Sequence, residues 1–219
     1  MFAAEAEPAV AVPDSGQDAC PSRLGKTLVE LAVNETMALR ARAVQRGTLV
    51  HRLLQSLPEI TAERRRDAAL NYLARNADGW SDSDREALAD GVLALIGDPR
   101  FAAVFGAGSR AEVSIAGRLE RPGRPAALVS GQIDRLVVSQ DEVLIVDYKT
   151  NHAPPKLATE APASYVRQLA LNRAVLGKLY PQLPVRAVLL WTETPELMEI
   201  SAPALDAQLA TIIRGDVEA

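Results

Sequence analysis

The stretch Glu142-Val143-Leu144-Ile145-Val146-Asp147-Tyr148-Lys149-Thr150 decides the fold of this chain. Its run of consecutive apolar residues predicts a short strand that is buried on both faces, as in the middle of an α/β sheet. Side chains two residues apart on a strand point to the same side, so Asp147 and Lys149 project together where the strand leaves the core. A carboxylate and an ammonium placed in this way suit metal-assisted hydrolysis, although a strand-end salt bridge would give the same pattern.

Helices are predicted before this strand, and strands alternate with helices around and after it. Apolar residues recur at helical spacing in two stretches of residues 21–57, which Pro58 ends, and again in residues 61–75. Ser81 begins a further helix with a capping-box pattern, and this helix ends near Gly97. The remaining predicted elements are strands at 112–119, 127–138 and 142–150, a helix at 162–180, strands at 185–191 and 197–200, and a helix from residue 203.

Length and composition fit one soluble globular domain, with 48% hydrophobic and 24% charged residues. Residues 1–20, rich in Ala, Pro and acids, predict a disordered tail or linker. The rest, residues 21–219, predicts a single α/β domain, with a helical lobe over about 21–107 and an α/β core over about 108–219. No apolar run is long enough to predict a membrane span, and the single cysteine, Cys20, favours a reducing compartment such as the cytoplasm.

The distribution of charge is uneven. A formal net charge of −4 excludes a generally basic nucleic-acid coat protein. Residues 21–75 nevertheless contain ten Lys or Arg against five acids. Such a segment indicates either a surface that faces nucleic acid or, more commonly, the solvated face of a helical hairpin.

A second carboxylate strengthens the chemical interpretation of the buried strand. Asp134 lies on the preceding predicted strand among apolar neighbours, and a hairpin turn near residues 139–141 would bring it close to Asp147. A lone buried carboxylate is costly unless it has a partner or a metal. Two carboxylates aimed at one point repel each other unless a cation lies between them. The pair therefore predicts a divalent-metal site.

Four motifs, which follow one another along the chain in the order typical of a known family, resemble that family. Asp134 followed by Asp147-Tyr148-Lys149 is similar to the core of the PD-(D/E)XK nucleases. Gly47-Thr48-Leu49-Val50-His51-Arg52-Leu53-Leu54-Gln55 matches the G-x-x-x-H-x-x-L-Q helix of the RecB-like branch, and Tyr165-Val166-Arg167-Gln168-Leu169 resembles its Y-x-x-Q-L helix. Pro21-Ser22-Arg23-Leu24 is similar to the start of the nuclease domain in the AddA subunit of AddAB helicase–nucleases.

The resemblance implies a restriction-endonuclease-like core, with three antiparallel strands, a helix and a further strand, and hydrolysis of DNA with Mg²⁺ or Mn²⁺. The implied metal ligands are His51, Asp134, Asp147 and the backbone carbonyl of Tyr148. The implied catalytic residues are Asp134, Asp147, Lys149, which would serve the attacking water, and Gln168. The implied DNA contacts are Arg52, Gln55, Tyr165 and Gln168.

The biological setting that the resemblance implies is double-strand-break repair by homologous recombination. The chain would be the nuclease part of an AddA-like helicase–nuclease, an exonuclease in preference to an endonuclease, with single-stranded DNA as substrate. Its expected partners are DNA, an AddB-like subunit and a helicase motor. Two alternatives stay open: a free-standing RecB-like nuclease, and a catalytically silent module that binds DNA or a partner.

Two further cofactors are excluded by the residues present. Gly25-Lys26-Thr27 imitates the end of a Walker A motif, but the position of its first glycine is Cys20, so no ATP site is expected. One cysteine also excludes the four-cysteine iron–sulfur cluster of some relatives. Two positions need attention: Asn172 replaces a tyrosine that the Y-x-x-Q-L helix often carries, and Glu112 lies where relatives often have an acid and is expected to flank the site.

Overall fold

The structure is a computed structural model that describes residues 22–150 and 154–215, with side chains from residue 35 onward. Within the described residues, the chain divides into two units after residue 42. Every side chain discussed below belongs to the second unit. The predicted tail lies outside the described residues, as do the side chains of Pro21-Ser22-Arg23-Leu24.

The helices before the sheet are α1 (Ser22–Ser56), α2 (Ala62–Asn76), α3 (Asp82–Gly97) and the short α4 (Ala102–Phe105). The strands are β1 (Ser109–Arg121), β2 (Arg124–Val138), β3 (Val143–Lys149), β4 (Val185–Trp191) and β5 (Glu196–Ile200). Between β3 and β4 comes α5 (Ala163–Leu179), and after β5 comes α6 (Ala202–Arg214).

Most predicted elements agree with these bounds, with one correction in α1. The two helical stretches predicted before Pro58 form one continuous helix, because no proline interrupts them. The predicted capping box at the start of α3 is present, with Ser81 and Asp84 bonding reciprocally. The first two strands are longer than predicted, since each continues into the hairpin turn that joins them.

The five strands form one sheet in the order of the sequence. The pairs β1–β2, β2–β3 and β4–β5 are antiparallel, whereas β3 and β4 are parallel. Parallel neighbours require a crossover, and α5 provides it. The predicted α/β class and its order of three antiparallel strands, a helix and a further strand are confirmed.

Helices cover both faces of the sheet, which explains the apolar run in β3. Leu144 and Val146 belong to the core that the sheet forms with α1, α2 and α3. Val143 and Ile145 belong to the opposite core, which includes α5 and α6. By alternation along the strand, Asp147 projects to the α5 side of the sheet.

Candidate metal centre

Side chains from α1, β1 and β2 meet at one point. His51 lies on α1, Glu112 on β1 and Asp134 on β2, and one potential ligand atom of each lies within 4.8 Å of the other two. His51 Nδ1 and Asp134 Oδ1 are 3.6 Å apart. We call these three residues the ligand cluster. Carboxylate oxygens and an imidazole nitrogen are donors that suit Mn²⁺, and the oxygens suit Mg²⁺.

The β1–β2 ladder is irregular where Glu112 and Asp134 face each other. The neighbouring residue pairs are in register, but Glu112 has a φ of 53°. A residue with a Cβ in this left-handed region costs about 1–3 kcal/mol, and such strain recurs at functional sites. Gln132 Nε2 donates a hydrogen bond to Glu112 Oε2, which helps to hold the glutamate in place. At this irregular point of the ladder, the carboxylate of Glu112 lies beside that of Asp134.

Asp134 is also tied to β3. The β2–β3 ladder ends at the pair Arg135–Val146. Beyond this pair, Asp134 Oδ2 accepts a hydrogen bond of 2.7 Å from the backbone N–H of Tyr148. Since Oδ1 faces His51, one carboxylate joins the ligand cluster to the strand that carries Asp147.

Asp147 is buried, and its two carboxylate oxygens have different neighbours. Oδ1 accepts a hydrogen bond of 2.9 Å from Gln168 Nε2 on α5. Oδ2 forms an ion pair with Lys149 Nζ. Burial raises the pKa of the Asp147 carboxyl above its usual range, while the charge of Lys149 opposes the shift and that of Asp134 reinforces it.

The Lys149 ammonium lies between Asp147 and an aromatic ring. Its Nζ is 3.8 Å from the centre of the Tyr165 ring. A cation–π contact of this kind contributes about 0.5–2 kcal/mol. Tyr165 and Gln168 are three residues apart on α5, so one face of this helix contacts both members of the acid–lysine pair.

The residues present fit a hard divalent cation. The ligand cluster offers two carboxylates and an imidazole at one point, and the burial that raises the pKa of neighbouring Asp147 is the kind of cost that a nearby cation offsets. Asp147 is not one of the residues whose ligand atoms lie within 4.8 Å of one another. It is nevertheless close enough for the charges of His51 and Asp134 to act on its pKa. The ligand cluster and the Asp147–Lys149 pair are therefore adjacent parts of one site.

Residues 19–215 match the family model of the PD-(D/E)XK nuclease superfamily. The chain belongs to this superfamily. No curated protein matches its sequence significantly. Among solved structures, the one titled "Crystal structure of SSO0001" is similar, with 14% sequence identity, coverage of 78% of this chain and 76% of that chain, and a TM-score of 0.34. That likeness is too distant to bear on the function.

Membership of the PD-(D/E)XK superfamily implies a metal-dependent nuclease. Asp134, Asp147 and Lys149 are of the residue types, two acids and a lysine, after which the superfamily is named. Within the part of the chain that the structure describes, no helix combines the length and apolar character needed to cross a bilayer.

A cleft of about 620 Å³ adjoins the ligand cluster. One face of α1 forms much of its wall, and His51 and Glu112 line it together with Arg52. Arg52 Nη1 donates a hydrogen bond of 2.8 Å to Gln55 Oε1, one helical turn further on. Of the four expected DNA contacts, Arg52 and Gln55 therefore lie beside the cleft, whereas Tyr165 and Gln168 contact Lys149 and Asp147.

The glycine of the α1 motif allows a close approach to the end of β3. A Cβ at position 47 would lie 3.0 Å from Thr150 Oγ1. Few real Cβ atoms come this close to a neighbour, so Thr150 would have to move by a few tenths of an ångström. Gly47 therefore sets the spacing between α1, which carries His51, and the residue that follows Lys149.

We expect Gly47→Ala to lower the rate of DNA cleavage about tenfold. A misplacement of about 1 Å near reacting groups can cost about a hundredfold in rate, and the shift at Thr150 is smaller than that. The free energy of unfolding should change little, since the gain in helix propensity, up to about 1 kcal/mol, offsets the tight contact. Gly91→Ala on α3 is the matched control, because its Cβ would meet no atom within 4 Å. Initial cleavage rates and thermal unfolding of both variants test this. Equal behaviour of the two variants would remove Gly47 from any part in the site.

Much of the basic segment predicted from the sequence is occupied by structural contacts. Arg46 forms a two-point ion pair with Glu193, at 2.7 and 2.8 Å. Arg65 donates to the backbone carbonyls of residues 57, 58 and 60, and Arg66 pairs with Asp90. These three arginines are therefore held by contacts within the protein, which differs from both the solvated helix face and the nucleic-acid surface that the charge run suggested.

Two positions that the sequence left open have clear places in the structure. Glu112 belongs to the ligand cluster and does more than flank it. Asn172 is buried, and its Oδ1 would lie 2.9 Å from a Cβ at Gly131. Asn172 thus packs α5 against β2. The asparagine that stands here in place of the tyrosine of the Y-x-x-Q-L helix therefore belongs to the contact between this helix and this strand.

Proposed function

We propose that the protein is a RecB-like deoxyribonuclease that cuts single-stranded DNA with Mg²⁺ or Mn²⁺. One observation carries the proposal: the motif segments of α1 and α5, far apart in sequence, contact the acids and the lysine of the β2–β3 segment. His51 of α1 contacts Asp134, while Gln168 and Tyr165 of α5 contact Asp147 and Lys149. The motif segments of α1 and α5 characterise the RecB-like branch, and their contacts, with Asp134 and with the Asp147–Lys149 pair respectively, support that assignment.

In this proposal the ligand cluster and Asp147 hold the ion, with the Tyr148 carbonyl as a further ligand. A bound divalent ion would polarise the phosphate and lower the pKa of a water molecule. Gln168 holds Asp147 by its Oδ1. Lys149, fixed by Asp147 and Tyr165, orients the attacking water or stabilises the negative charge that develops on the phosphate.

The choice of single-stranded DNA rests on the cleft and on charge. The cleft beside His51 is open and is bordered by Arg52 and Gln55, which can contact a flexible strand. The formal net charge is −4, and Arg46 and Arg66 of the basic segment are held in ion pairs within the protein, which weakens the attraction to phosphates. Because each phosphate contact adds about 0.7–0.9 to the salt slope, binding should be weak and sensitive to salt.

Substrate preference is tested by incubating the pure chain with labelled linear single strands, blunt duplex, circular single strands and RNA, with Mg²⁺ and without ATP. The proposal expects cleavage of the linear DNA single strand above all, lost at moderate salt. Resistance of the circle would assign exonuclease action. Faster cleavage of duplex or of RNA would contradict the proposed substrate.

The proposed setting is double-strand-break repair in the cytoplasm, with the chain as the nuclease part of an AddA-like enzyme beside an AddB-like subunit and a helicase motor. The order of the four motifs supports it. A free-standing nuclease would reach its full rate alone, whereas an AddA-like domain should accelerate when a helicase feeds it a strand. Binding of DNA without cleavage under any of these conditions would favour the catalytically silent module.

We expect the stabilisation by metal to grow as the pH rises above 6.5 and passes the raised pKa of folded His51. Burial lowers the pKa of His51, but the hydrogen bond to Asp134 and the nearby carboxylates outweigh burial and raise this pKa above its ordinary 6.5. A raised histidine pKa stabilises the metal-free fold fully below 6.5, and this contribution is lost as the pH passes the folded pKa. A metal ion binds only the neutral imidazole, so the affinity for metal increases with pH while the stability of the metal-free fold decreases.

The measurement is the difference in Tm between Mn²⁺ and EDTA, recorded from pH 6.5 upward until the difference no longer changes, for the wild type and for His51→Gln. The difference should increase with pH in the wild type and should be smaller and flatter in the variant. An equal increase in both proteins would take His51 out of the ligand set.

A further inference from the structure

The arginine that follows Asp134 is fully buried. Arg135 has 0% of its surface exposed. A buried charge is expensive unless it is paired or fully hydrogen-bonded. All three hydrogen bonds described for this guanidinium go to uncharged oxygens. The Phe105 ring lies 5.5 Å from its central carbon and adds a cation–π contact. An apolar side chain of the same size could not form these three hydrogen bonds.

The three hydrogen bonds connect different elements. Arg135 Nη2 donates to the carbonyl oxygen of Leu54 on α1 at 2.7 Å. Nη1 donates to Ser109 Oγ at the start of β1, at 2.9 Å. Nε donates to the phenol oxygen of Tyr148 on β3, at 3.1 Å. With its own strand β2, Arg135 therefore joins four elements at one buried point.

Each of these four elements carries a residue of the site. On α1, His51 lies three residues before Leu54, and on β1, Glu112 lies three residues after Ser109. On β2, Asp134 is the immediate neighbour of Arg135, and on β3, Tyr148 gives its backbone N–H to Asp134. The hydrogen bonds of one guanidinium thus reach every strand and helix from which the proposed ligands project.

We propose that Arg135 is a positioning residue of the metal centre, which holds α1, β1 and β3 in register around Asp134 so that the ligands converge. The proposal rests on the proposed function, since it assumes that the site binds a divalent ion. Arginine is required because its planar group presents five N–H donors in fixed directions, and a lysine ammonium cannot span three partners on separate elements. Partners of ligands commonly change metal affinity by about 10–100-fold when they are lost.

The test compares Mn²⁺ binding by electron paramagnetic resonance titration in the wild type, Arg135→Met, Arg135→Lys and Arg173→Met. Arg173 is the matched control, because it joins α5 to the carbonyl of Val185 on β4 and to Asp206 on α6, away from the site. Each protein is measured below its own Tm, recorded in EDTA. We expect Arg135→Met to bind Mn²⁺ about 10–100-fold more weakly, Arg135→Lys to be weakened as well, and Arg173→Met to stay within about twofold of the wild type.

Three outcomes would overturn the proposal. The first is unchanged Mn²⁺ affinity in folded Arg135→Met; if that variant does not fold, unchanged affinity in Arg135→Lys has the same meaning. The second is an equal loss in Arg173→Met, because the effect would then follow general destabilisation. The third is absence of Mn²⁺ binding in the wild type, and only this one also removes the proposed function, so the two failures are distinguishable.

Discussion

Asp134→Asn should reduce the rate of DNA cleavage by roughly a thousandfold. Metal ions supply several kcal/mol of transition-state stabilisation, and each factor of ten in rate corresponds to about 1.4 kcal/mol. Asparagine keeps an oxygen that can accept the hydrogen bond from the Tyr148 N–H, so the fold should persist. Removal of one of several mutually repelling carboxylates should even raise the Tm of the metal-free protein slightly.

The measurements are the single-turnover cleavage rate, the Mn²⁺ affinity and the Tm in EDTA. Asp141→Asn, an exposed acid in the turn between β2 and β3, is the control and should match the wild type in all three. A cleavage rate for Asp134→Asn within a few fold of the wild type would show that this carboxylate holds no essential ion.

Lys149→Met should lower the cleavage rate by about a hundredfold to a thousandfold, the cost of removing one donor aimed at developing charge. Its ammonium has no lone pair for a cation, so metal affinity should not weaken. Stability in EDTA should fall, since buried Asp147 would lose the cation that pairs with it. Single-turnover rates, Mn²⁺ titrations and thermal unfolding separate these effects.

Lys156→Met, at an exposed position after β3, is the matched control and should leave all three quantities unchanged. If Lys149→Met lost metal affinity in proportion to its rate, the lysine would act by shaping the ligand set, and its proposed part in the chemical step would be wrong.

Local pattern was enough to predict the fold and the acid–lysine pair. The apolar run of β3 indicated burial on both faces, and the two-residue period placed Asp147 and Lys149 on one side. The hairpin between β2 and β3 was readable from the turn residues between them, which brought Asp134 near Asp147. These inferences depend on short-range geometry, which sequence specifies well.

Features that depend on distant or irregular backbone were not predictable in the same way. Glu112 belongs to the ligand cluster and has a backbone φ of 53°, and a glutamate in the sequence does not predict such a departure from strand geometry. Arg135 resembles an ordinary charged residue in sequence, and only the packing of four elements around it reveals its burial. The charge run in α1 and α2 predicted a surface but not that Arg46 pairs with Glu193, which is 147 residues away.

The most direct test of a metal-dependent nuclease site is one time course with end-labelled single-stranded DNA. Wild-type protein is started in Mg²⁺, stopped with EDTA and restarted with excess Mg²⁺, in parallel with Asp147→Asn purified in the same way. If the site is a metal-dependent nuclease centre, the wild type cuts, stops and resumes, without ATP, and the variant releases no product above background. Cleavage that continues in EDTA, or equal product from Asp147→Asn, would contradict it.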